Sequence, residues 1–163
     1  MNPTHIHLLV THLPIFGSIL GALVLAYGIW ANSDSTKMAA YFIFIVAALG
    51  GTVAYLTGEP AEESVEHITG VSKDNIEEHE ESAIFTLVSL IATAVVSIAG
   101  MFLIQRKSAS ERTVAIAAFI ISLASFSMAV RTGYLGGYIR HQSEIDNPAG
   151  EEPQEGGETS GGQ

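Results

Sequence analysis

The sequence predicts an all-α integral membrane protein, an antiparallel four-transmembrane-helix bundle with both termini on the outer, periplasmic side. Three observations carry this. The 163 residues are 48% hydrophobic and only 15% charged, too apolar for an ordinary soluble domain of that length. Four stretches carry no Asp, Glu, Lys or Arg: 1–33, 38–58, 82–105 and 113–130. Each reaches the roughly 18 residues needed to cross ~30 Å of hydrocarbon as a helix, and none alternates as a barrel strand does. Finally, the seven basic residues are distributed unevenly. Lys37, Arg106, Lys107 and Arg112 occupy the two short connections, whereas the connection 59–81 holds Lys73 among nine acids. The positive-inside rule makes the short connections cytoplasmic and places the long one outside, with Arg131 and Arg140 as counter-signals. The predicted location is the inner membrane of a bacterium, as a multi-pass protein.

The first helix is expected over about 3–30, with Asn2 as N-cap, Pro3 at the first helical position and Trp30 as interfacial anchor. It lacks the basic n-region of a cleavable signal. Pro14 removes a backbone bond to Val10 and is expected to kink the helix beside His12, turning that histidine inward. Gly17 and Gly21 form a GxxxG pair suited to close helix packing, to clearance for a flat cofactor or to a homo-oligomer contact.

The second helix is expected over about 38–57, ending at Gly58. A short surface helix follows over about 61–68, with Ala61, Val65 and Ile68 on one face. Asp74 and Glu77 resemble a capping box for a third helix over about 75–105. The fourth is expected over about 113–140, completing a transmembrane domain 1–145. The segment 146–163 is rich in Gly and Glu, has almost no aliphatic side chain and is expected to be disordered.

In this topology all six histidines, His5, His7, His12, His67, His79 and His141, fall on the outer half. Ile76, His79 and Ala83 share one face of the third helix, while Glu77, Glu78, Glu80 and Glu81 take the other. His12 lies eighteen residues before Trp30, ~27 Å along the helix and near the outer edge of the hydrocarbon, where an imidazole must hydrogen-bond, titrate or bind a metal. His5 sits on nearly the same face as His12, while His7 is interfacial and His67, four residues after Glu63, lies opposite the apolar stripe of its short helix. If the fourth helix continues through its glycines, Arg131, Tyr134, Tyr138 and His141 share an arc of about 80°. That set suits a haem edge, a hydrated anion or proton site, or an aromatic belt with snorkelling arginine.

The order of THLPI at 11–15, EEHEES at 77–82 and LGGYIRHQS at 135–143 resembles a family of small four-helix bacterial membrane proteins catalogued only as an uncharacterised transmembrane domain. Members carry a histidine before a Pro-Ile/Leu step, a histidine at the mouth of helix three and a closing Gly-Gly run ending in histidine. They usually continue with Gly-x-Gly, where this chain has Gln142-Ser143-Glu144. The resemblance singles out His12, His79 and His141, and a redox role follows from it by association.

Three functions are therefore open. In the first, a membrane redox or electron-transfer accessory binds b-type haem through two of His12, His79 and His141, with Arg131, Tyr134 and Tyr138 at its edge. Gly17, Gly21, Gly50 and Gly51 admit the porphyrin, and a quinone or periplasmic redox protein is the partner. In the second, His12, His79 and His141, with His5 or His67 added, hold Cu or Zn or a proton-linked site in a sensor, chaperone or transport accessory. In the third, the protein is a structural subunit with no cofactor. The absence of cysteine excludes thiolate ligation, Fe–S clusters and covalent c-type haem. The formal charge of −10 argues against nucleic acid as a partner. No nucleotide-binding or hydrolase motif is present, so nothing in the sequence marks an enzyme.

Overall fold

A computed structural model describes residues 9–58 and 73–146, with side chains described through residue 138. The surface helix expected at 61–68, His5, His7 and His67, and the tail from 147 lie outside the described residues. Among the described residues there are four helices: α1 (His12–Trp30), α2 (Asp34–Leu56), α3 (Lys73–Gln105) and α4 (Glu111–Asp146). All four are long and apolar enough to cross a membrane. Helix α1 packs on α2 and α4, and α3 packs on α2 and α4.

The two tight turns share one device. Asn32, just past α1, adopts φ 49°, and Lys107, just past α3, adopts φ 51°. Each lets the next residue reach back into the helix: Ser33 N–H donates to Gly28 O at 2.9 Å, and Ser108 N–H donates to Leu103 O at 3.0 Å. This is the left-handed stop that satisfies the last carbonyls of a helix. Ser33 then caps α2, its hydroxyl accepting from Thr36 N–H at 3.3 Å. That cap starts α2 at Asp34 rather than at 38, because a serine oxygen satisfies the first-turn amides before the apolar run begins.

Burial is inverted relative to a water-soluble protein. Leu23, Phe85, Val88 and Ile120 are each at least 60% exposed, while Ser82, Ser97, Ser122 and Ser125 are fully buried. Lipid is as apolar as a leucine, so large side chains lose nothing by facing it. The interior is taken by residues small enough to bring backbones together. Helix α4 presents Ala115, Ala118, Ser122, Ser125 and Ala129 at alternating steps of three and four, and α3 answers with Ser82, Thr86, Thr93, Ser97 and Gly100. Hydroxyls cross this seam: Thr93 with Ser125 at 2.9 Å, and Ser82 and Thr86 with Thr132, each at 2.8 Å.

The glycines of α1 and α2 are filled by the chain itself. A Cβ on Gly17 would lie 2.6 Å from that of Ala47, one on Gly21 2.5 Å from the Phe44 ring, and one on Gly50 2.7 Å from Leu13. The expected porphyrin clearance at Gly17, Gly21, Gly50 and Gly51 is therefore absent, Gly51 being closed by Leu90 at 2.6 Å. The same contacts set the Gly17/Gly21 face against α2.

Candidate functional site at the His79 end of the bundle

His79 continues the inward face of α3 one turn before Ser82 and is half-buried. Its Nδ1 lies 3.1 Å from the backbone carbonyl of Thr132 on α4. A carbonyl only accepts, so Nδ1 carries the proton, and in the neutral ring the lone pair sits on Nε2. Just below, the Thr132 hydroxyl is held between Ser82 and Thr86, which fixes that turn of α4 against α3. Gly136, one turn above Thr132, admits the ring: a Cβ there would stand 3.0 Å from His79 Cε1. The next residue, Gly137, faces open space, with nothing within 4 Å of where its Cβ would be.

Arg131 does not join this interior. Its guanidinium donates to Glu78 Oε1 at 2.8 Å, and the two side chains are about half exposed, at 51% and 52%. Both lie beside the inward stripe and not on it, so the pair clips α3 to α4 at the surface. Tyr134 is 70% exposed and Tyr138 half-buried. The shared arc of Arg131, Tyr134 and Tyr138 thus does not turn as a unit toward His79. Helix α4 does continue through its glycines, and His141 lies within it, although its side chain is outside the described set.

His12 departs from expectation most plainly. It is exposed and stacks on Phe16, ring centroids 6.3 Å apart and planes 11° from parallel. The buried face of α1 is set by Pro14, Ser18, Gly21, Leu25 and Gly28. Two residues of helix separate His12 from Pro14 by about 200°, so the proline that faces inward turns the histidine outward. The described residues bring His79 to Thr132 and Gly136 but do not bring His12 to His79. Among them, no group of three or more His, Asp or Glu side chains could hold a metal ion.

Thr132, Ser82, Thr86 and Gly136 were not singled out from the sequence. Their signal was nonetheless present as the alternating three-and-four spacing of small and hydroxyl residues on α3 and α4. No protein-family model, curated protein or solved structure matches the chain.

Proposed function

We propose that this chain is an integral protein of a bacterial inner membrane that binds b-type haem at the outer end of an antiparallel four-helix bundle, with His79 as one of the residues that would hold it, and serves as a redox accessory. The observation that carries this reading is the orientation of His79. A half-buried imidazole whose Nδ1–H is committed to a backbone carbonyl has its tautomer and ring plane fixed; a backbone carbonyl is the usual second partner of a metal-bound histidine. Gly136 gives the ring room to take this orientation, since a Cβ there would stand 3.0 Å from His79 Cε1.

With His12 turned outward, the second ligand in this reading is His141 on α4. The bundle arrangement is supported by the order of contacts: Gly28, Gly21 and Gly17 of α1 meet Lys37, Phe44 and Ala47 of α2, one number falling as the other rises. Both termini outside follows from the basic residues at the short turns. Bound haem would supply one-electron chemistry, exchanged with a quinone or a periplasmic redox protein.

The test is an absorption spectrum of the protein purified in mild detergent, oxidised and reduced. A Soret band should be present in the wild type and in His12→Ala, and be lost or shifted in His79→Ala and His141→Ala. A colourless wild type that stays colourless after haem supplementation refutes the reading. Copper or zinc retained by that colourless protein and lost in His79→Ala would assign the same imidazole to a non-haem site.

A further inference from the structure

The contact between Lys37 and Glu111 joins the two short turns at the end of the bundle opposite His79, and the charges there do not balance. Residues 31–37 and 105–113 carry four cations, Lys37, Arg106, Lys107 and Arg112, against two acids, Asp34 and Glu111. Both acids converge on one cation: Lys37 Nζ donates to Glu111 Oε2 at 2.6 Å and lies 2.9 Å from Asp34 Oδ1, with the lysine itself buried. The positive charge of this end is thereby left to the α3–α4 turn. Arg106, Lys107 and Arg112 are all exposed, and none is paired with an acid among the described residues.

Backbone geometry keeps the three together. Lys107, at φ 51°, ends α3; Ser108 N–H returns to Leu103 O at 3.0 Å, and Glu111 N–H donates to Ser108 O at 3.1 Å as α4 begins. Arg106 also has a fixed place, its guanidinium 4.9 Å from the centre of the Phe102 ring one turn back on α3. Phe102 closes a stripe with Val95 and Ile98, each more than half exposed, and the steps of three and four put all of them on one face. An apolar outer wall thus runs up to a cation lying over its last ring, with two further cations just beyond. The positive-inside bias requires only that basic residues lie past the helix ends, whereas here the unpaired ones are gathered at one turn and continuous with that wall. A phospholipid with an anionic headgroup has the complementary order, acyl chain on the stripe and phosphate at the guanidinium. An inorganic anion would match the cations but leave the stripe unused.

We propose that the α3–α4 turn binds an anionic phospholipid, its phosphate held by Arg106, Lys107 and Arg112 and an acyl chain lying along Phe102, Ile98 and Val95. Such a site rests on the membrane-spanning reading of the helices but is independent of haem at the other end. Native mass spectrometry of the full-length protein in mild detergent, given equal amounts of phosphatidylglycerol and phosphatidylcholine with the same acyl chains, reads the lipid retained. Phosphatidylglycerol should be retained several-fold over phosphatidylcholine by the wild type and by Arg131→Gln, whose cation is paired with Glu78 at the His79 end. Each of Arg106→Gln, Lys107→Gln and Arg112→Gln should lower that preference. The triple variant should abolish it while melting with the wild type in lipid-free detergent, because the three side chains are exposed. Inorganic phosphate should not displace the lipid. Equal retention of the two lipids by the wild type, a preference that survives in the triple variant, or displacement by inorganic phosphate would overturn the proposal and leave the membrane reading standing. A chain that stays in solution without detergent would refute the membrane reading itself, and the lipid site with it.

Discussion

Replacing Glu111 with alanine isolates the energetics of the pair that joins α2 to the start of α4. Lys37 is 2% exposed, so the substitution leaves an ammonium in the bundle with Asp34, itself 63% exposed, as its one remaining anionic partner among the described residues. Breaking a fully buried pair costs about 3–5 kcal/mol, whereas an exposed pair contributes under about 1 kcal/mol. Glu111 is 21% exposed, so water reaches one side of the pair, and the expected loss is intermediate, about 2 kcal/mol. Removing an acid from the first turn of α4 adds a few tenths. For a chain of this size the melting temperature should fall by roughly 4–8 °C. The assay is thermal unfolding in mild detergent, run with Lys37→Met and the double variant. Removing the lysine as well removes the unpaired charge, so the double variant should be more stable than Glu111→Ala alone. A Glu111→Ala protein within about 0.5 kcal/mol of wild type, or strictly additive single effects, would refute the reasoning.

Thr132→Val removes the hydroxyl shared by Ser82 and Thr86 and should cost about 1 kcal/mol, toward the low end for unsatisfied buried groups because both can bond back to their own helix; an unchanged unfolding midpoint would argue against the seam. Gly100→Ala places a methyl 2.5 Å from the Tyr41 ring and should cost about 1–3 kcal/mol in the same assay, whereas Gly137→Ala, which meets nothing within 4 Å, should leave stability unchanged. Arg131→Ala breaks a half-exposed pair and should cost less than about 1 kcal/mol, vanishing in high salt. Reporter fusions at the C-terminus should report the outer side of the membrane; a cytoplasmic C-terminus would remove the basis for placing His79 at the outer face.

The spans were legible because length and absence of charge are one-dimensional properties. The turns were legible in position but not in mechanism: a left-handed Lys107 is not a residue that composition would nominate. The candidate site was legible only in part. His79 could be phased against four glutamates that had to face water, and its half-buried ring keeps to that face. His12 had no such contrast, since both faces of its helix are apolar, and the inward turn expected from Pro14 had the wrong sense.

Sequence by itself determined the number of helices long and apolar enough to span a membrane, their approximate ends, and the absence of thiolate chemistry. Only the tertiary structure decided which face of each helix is interior, and so which polar groups meet. Lipid and protein interior are equally apolar, so hydrophobic periodicity carries little information about facing. What separates inside from outside is side-chain size: Ser, Thr, Ala and Gly line the contacts, and Leu, Phe and Ile cover the exterior. That criterion brings His79 to Thr132 across α3 and α4 and leaves the Tyr41 hydroxyl without a hydrogen-bond partner among the described residues, neither of which can be read from one helix of sequence at a time.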